Sequence, residues 1–290
     1  MKKSLFILLT ICSGLVFASP LPSPSPGPSE EAAPLVTDGS KPNLPSGRLI
    51  GNSVKNARDA AKNGQSAQSS GSFFDDLSAG AHFSLTSFDD GDVDSKGHVD
   101  ERAITLSGNI SESTVLSIGY SRIKYRYGKF SPSNRIIAHG VDAAVHHSLN
   151  ETFGIGGYAF FQGIDIERQG DSYTVGGGIN FTSFHDLGFA NLATATNLTY
   201  VDYDFDDDFI FIALADLSKD VTDWLTVGTS VSWTDSLTDN ANNTDDNFWT
   251  VGADLRFKWD SIQLNVGWEK TYDLSDYKDN TLNVSLIYTF

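Results

Sequence analysis

Residues 281–290 read TLNVSLIYTF. Leu282, Val284, Leu286, Tyr288 and Phe290 fall on every second position, with Asn283, Ser285, Ile287 and Thr289 between them. A strand alternates its side chains between two faces, so one face here is wholly apolar and the other mostly small and polar. The aromatic side chains come last on the apolar face. A soluble sandwich offers an exposed terminal phenylalanine little to pack against. A barrel in a bilayer does, because aromatic rings sit well where hydrocarbon meets headgroup.

Working back from that stretch, the same texture fills the chain from Leu77 onward, with Pro132 as its only proline. The alternation predicts twelve strands, at 77–88, 101–110, 114–127, 136–147, 151–166, 172–184, 189–203, 209–217, 224–235, 248–259, 261–272 and 281–290. Each is long enough to cross a bilayer at a tilt, which takes about 9–11 residues. An even number is expected of a bacterial single-chain barrel. The odd-numbered gaps are mostly long (89–100, 128–135, 167–171, 204–208, 236–247, 273–280). The even-numbered gaps are short (111–113, 148–150, 185–188, 218–223, 260). Barrels of this class have long external loops and short periplasmic turns.

The hairpin at Asp260 shows how register is specified. With Asp260 and Ser261 as the turn, Trp259 meets Ile262, Phe257 meets Leu264, Leu255 meets Val266 and Ala253 meets Trp268, all toward lipid. Lys258, Arg256 and Asp254 then meet Gln263, Asn265 and Gly267 on the other face. A slip of one residue would move Arg256 and Lys258 into hydrocarbon, at about 2–4 kcal/mol each at mid-depth. A similar outward stripe reads Leu225, Val227, Val231 and Trp233, and again Val141, Ala143, Val145 and Leu149. In 114–127 and 209–217 apolar residues occupy both parities and the faces stay unassigned.

The ending resembles the C-terminal strand of Gram-negative outer-membrane β-barrel proteins, porin-like in character, in which alternating apolar residues finish on an aromatic. The resemblance implies a 12-stranded antiparallel transmembrane β-barrel over residues 73–290. It also implies that Leu286, Tyr288 and Phe290 form the signal read by the barrel-assembly machinery. The location it implies is the bacterial outer membrane, with the N-terminal extension in the periplasm.

Residues 1–18 read as a secretory signal: Lys2 and Lys3, an apolar run from Leu5 to Phe17, and compact residues before Ser19. Cys12 falls inside it, so the mature chain builds no disulfide. Residues 19–48 form a Pro/Ser-rich linker that is stiff and coreless. Residues 49–72 hold a thin amphipathic helix, 49–62, and a flexible joint. The order helix, joint, barrel is similar to that of autotransporter β-domains, in which a helix threads the lumen. Only about thirty proline-rich residues stand before the helix, so the expectation is a periplasmic tether.

The chain carries 37 acidic and 20 basic residues, a formal net charge of −17, which argues against nucleic acid as a partner. DGDVDSKGHVDE puts Asp90, Asp92, Asp94 and Glu101 at calcium-loop spacing. Ser95 stands where the turn glycine belongs and flanking helices are missing, so this is a weak calcium candidate, and no other cofactor is expected. Acidic loops could bridge through divalent cations to lipopolysaccharide phosphates, and Arg122, Lys124 and Arg126 suit lipid phosphate. The inward set Asp142, His146, Asn180, Asp254, Arg256, Lys258, Asn265 and Glu269 suits either a water-filled path or a closed, self-compensated interior. No nucleophile sits beside a histidine in a catalytic arrangement, and no enzyme is expected. These features predict a passive, cation-preferring pore for small solutes. The alternatives are a closed barrel acting through its acidic loops and an autotransporter-like translocation domain.

Overall fold

The computed structural model describes residues 77–90, 95–127, 135–166, 170–203, 206–237, 247–273 and 277–290. The expected signal, linker, helix and joint lie outside them. Twelve strands follow in chain order: β1 (Ser78–Asp90), β2 (Ser95–Ser111), β3 (Thr114–Tyr127), β4 (Arg135–Ser148), β5 (Phe153–Ile166), β6 (Gly170–Asp186), β7 (Asn191–Tyr203), β8 (Asp206–Thr222), β9 (Leu225–Ser236), β10 (Phe248–Trp259), β11 (Ile262–Asp273) and β12 (Tyr277–Thr289). Each pairs antiparallel with its neighbours in sequence, and β1 pairs with β12, so the sheet closes and leaves no edge.

The closing strand β12 carries TLNVSLIYT, residues 281–289. Leu282, Val284 and Leu286 stand opposite Leu85, Phe83 and Ala81 of β1. On the other side the same residues meet Trp268, Val266 and Leu264 of β11. The Phe290 amide donates to the Leu77 carbonyl at 2.9 Å, and the Tyr288 and Phe290 rings pack edge-on at 4.9 Å. The Asp260 hairpin has the expected register in all seven pairs, from Trp259↔Ile262 to Ala253↔Trp268. Asp260 takes a positive φ of 43°, the left-handed turn conformation that aspartate tolerates.

The connections depart from expectation mainly at one end of the barrel, although 218–222, read as a turn at the other end, also continues β8. Ser95–Asp100, Asp206–Asp208 and Tyr277–Asn280, read as loop from their polarity, continue β2, β8 and β12. Ladder hydrogen bonds need backbone rather than apolar side chains, so pairing outruns the hydrophobic pattern once a hairpin is under way. The longest connections, 128–134 and 237–247, remain at this end, here called the loop end; the other is the turn end.

Outward side chains form an apolar belt. Ile118, Val141, Phe161, Ile179, Leu255 and Trp268 are each 42–55 % exposed. Rings gather at both limits of the belt. Phe161 stacks near Tyr173, Tyr200 lies against Phe209, and Trp233 lies between Phe211 and Trp249 toward the loop end. Trp224, Phe257 and Trp259 cluster at the turn end. This is the aromatic girdling of a transmembrane barrel.

Candidate functional site

Register carries one parity around the whole ring, and that parity defines the interior face. Asp142, His146, Asn180, Asp254, Arg256, Lys258, Asn265 and Glu269 all fall on it. They do not form one constellation. His146 and Asn180 face each other across β5, whereas Asp254, Arg256 and Lys258 lie along β10.

On the β8–β10 side the charges are joined. The Arg256 guanidinium donates to Asp216 at 3.0 and 3.2 Å, and also to both carboxylate oxygens of Asp254. Asp216 is fully buried and side-chain exposure of Arg256 is 14 %. A carboxylate withdrawn from water this completely needs a cation close by, and the planar guanidinium spans both acids. Asp216 escaped the sequence reading because ALADL, residues 213–217, has apolar neighbours at either parity. Register would have assigned it, since its partner Ser230 shares a face with Asp254 through Gly252 and Gly228. Gly228 leaves room for this network, since a Cβ there would lie 2.5 Å from Asp254 Oδ1 and the carboxylate would have to shift. Farther round, hydroxyls and amides dominate. Gln263 donates to Asn265 and Asn265 to Ser285, while Thr250 pairs with Thr271 and Thr86 with Thr281.

The β3–β8 side is different. Ala144, Tyr158, Phe160, Val201, Ile210 and Ile212 pack as one buried inward cluster. Ile123, Tyr125, Ile136 and Ala138, also inward, are buried toward the loop end. Beside them lies a neutral polar row: His146, Asn180 and Asn197, each 1–3 % exposed. Asn180 folds over Gly156, where a Cβ would meet its Oδ1 at 2.4 Å. His146 Nδ1, Asn180 Oδ1 and both amide atoms of Asn197 have no hydrogen-bond partner among the described residues. The Tyr158 hydroxyl bonds Thr199. Asn197 and Gln162, both inward and buried, had no signal in the sequence beyond strand parity.

The calcium-like spacing is pulled apart. Asp90 ends β1 opposite Ser95, and Glu101 lies inward and buried opposite Ser84, roughly 20 Å farther down the ladder. Asp92 and Asp94 lie outside the described residues. No group of three metal-ligating side chains occurs among the described residues. His82 and Asp142 both face inward, on β1 and β4, and Thr105 and Ser121 face inward on the two strands between them.

Comparison with known proteins agrees with this geometry. The translocator domain of the autotransporter NalP from Neisseria meningitidis is similar with a TM-score of 0.57 and 10% identity, covering 84% of this chain and 98% of that one. The β-domain of the Bordetella autotransporter Brka gives 0.57 and 9%, over 74% and 100%. An outer membrane channel from Pseudomonas putida F1 gives 0.56 and 10%, over 74% and 95%. The fold is that of the outer-membrane β-barrels. No family model and no curated protein matches the sequence.

Proposed function

We propose that this protein is a passive outer-membrane pore for small solutes and that it favours cations. The observation that carries the reading is the sign of the inward charge. Glu101, Asp142, Asp216, Asp254, Glu269 and Asp279 face inward against Arg256 and Lys258. Of these, the half-buried Asp142 and Glu269 stand outside the Arg256 network, and carboxylates so placed on a low-dielectric wall concentrate counter-ions along it. The buried His146–Asn180–Asn197 row and the Phe160 cluster fill the β3–β8 side, which leaves the more polar β9–β12 side for the path. Nothing in this reading requires catalysis. The autotransporters and the channel that share the fold support a conduit in general terms.

Planar-bilayer recording under a KCl gradient tests the proposal. The expected result is steady conductance with a reversal potential on the cation side, weakened in Glu269→Gln and Asp142→Asn without loss of conductance. Silence across many insertions would overturn the pore. It would favour a closed barrel acting through its loops, a reading to which the buried apolar cluster lends weight. Deleting residues 49–62 addresses the autotransporter-like alternative. Unchanged conductance fits a periplasmic tether, and a large rise would place that stretch inside the pore.

A further inference from the structure

The outward face of β2–β4 breaks the pattern of the rest of the barrel. From the turn, β3 presents Leu116, Ile118 and Tyr120 outward, then Arg122, Lys124 and Arg126. On β2 the outward series runs Leu106, Ile104, then Arg102, Asp100 and His98. The aromatic rings that mark the loop-end limit of the belt on β5–β10 have no counterpart among the described outward residues above Tyr120 here.

The cations are also set against one another. Arg102 stands directly opposite Arg122, and Arg122 opposite His139 on β4. Arg102 and Arg122 repel each other, since the neighbouring strands lie only about 4.8 Å apart. Asp100 accepts from Arg102 at 3.2 and 3.4 Å and stands opposite Lys124, with Arg122 and Arg126 on the same face of β3. In a chain with 37 acidic residues this concentration of positive charge is exceptional. The Tyr120 hydroxyl reaches His139 Nδ1 at 2.7 Å and holds the ring at the lower border of the patch.

We propose that this face binds the phosphate of an anionic glycolipid in the surrounding leaflet, with Arg102, Arg122 and Arg126 as the principal donors. Two guanidiniums facing one way can grip one phosphate by paired, charge-assisted hydrogen bonds, and the anion relieves their repulsion. The occupant is a lipid rather than a free anion because the cations stand directly above Ile104, Ile118 and Tyr120. A phosphorylated headgroup would meet the arginines while its acyl chains cover the shortened apolar strip below. This surface is separate from the interior, so the inference holds whether or not the barrel conducts.

The test uses the full-length protein in detergent, titrated with bis-phosphorylated lipid A, with dephosphorylated lipid A and with inorganic phosphate, and read by native mass spectrometry. The expected result is binding of bis-phosphorylated lipid A tighter than the dephosphorylated form by about tenfold or more. That preference should be lost in Arg102→Gln/Arg122→Gln and kept in Lys219→Gln, an exposed cation toward the turn end. Heat-modifiable gel migration verifies folding. If the double variant does not fold, Arg126→Gln alone must still reduce the preference, and Arg122→Lys should retain most of it. Equal affinity for the dephosphorylated lipid, or no change in the arginine variants, overturns the proposal. So does competition by inorganic phosphate at low concentration, which would mark a free-anion site. Loss of an oligomer in the arginine variants, without change in lipid binding, would assign the face to protein association instead.

Discussion

On β10 the outward side chains stay apolar from Trp259 to Trp249, eleven residues of tilted strand and about 25 Å of height, the thickness of a transmembrane belt. On β3 the outward apolar run ends at Tyr120 and continues as Arg122, Lys124 and Arg126. The interior behind each flank is reversed. Behind β10 stand Asp254 and Arg256, and behind the upper half of β3 stand Ile123 and Tyr125, each 3 % exposed. Apolar-out and polar-in on one flank thus becomes polar-out and apolar-in on the other, within one continuous ladder. Membership of a barrel does not set the polarity of a strand face. What each face touches at each height does, because backbone pairing is satisfied either way.

The sharpest way to break this comparison is from inside. Phe160→Ala should cost about 3–5 kcal/mol in urea unfolding from vesicles if the β3–β8 interior is packed like a core. A loss near that expected for Thr234→Ala, below about 1.5 kcal/mol, would mean that the Phe160 side is as wet as its opposite. Next in size is the outer belt. Leu255→Arg should destabilise by about 2–4 kcal/mol, while Arg122→Leu should change stability by no more than about 1 kcal/mol. Equal penalties would show that both flanks meet the same depth of hydrocarbon. Arg256→Met removes the guanidinium from the buried Asp216, and Asp216→Asn in the same chain should recover most of the loss, as read by the shift in urea midpoint. Failure of that rescue would mean that water already solvates Asp216. Asn265→Ala should also lower the urea midpoint, since two part-buried hydrogen bonds there contribute about 0.5–1.5 kcal/mol each.

These contrasts also explain where sequence reading worked. The Asp260 hairpin was legible because each of its strands alternates cleanly and a slip would place two charges in lipid. Asp254, Arg256, Lys258, Asn265 and Glu269 share the inward parity of that hairpin. In β3 and β8 the signal failed, since Val115, Ile123, Ile210 and Ile212 face inward while Leu116, Ile118, Phe209 and Phe211 face out. Alternation cannot be seen when both faces are apolar, and so Asp216 and its partner went unrecognised as an inward pair.

By itself the amino-acid sequence determined the number of strands, their antiparallel order and the apolar, aromatic closing strand. These follow from local alternation and turn chemistry, which neighbouring residues alone encode. Tertiary structure decided the rest: strand lengths beyond the apolar pattern, the Asp216–Arg256–Asp254 triad, the His146–Asn180–Asn197 row and the arginines opposed across β2 and β3. Each of those depends on which residues closure of the ring brings side by side, at separations in sequence that no local period records.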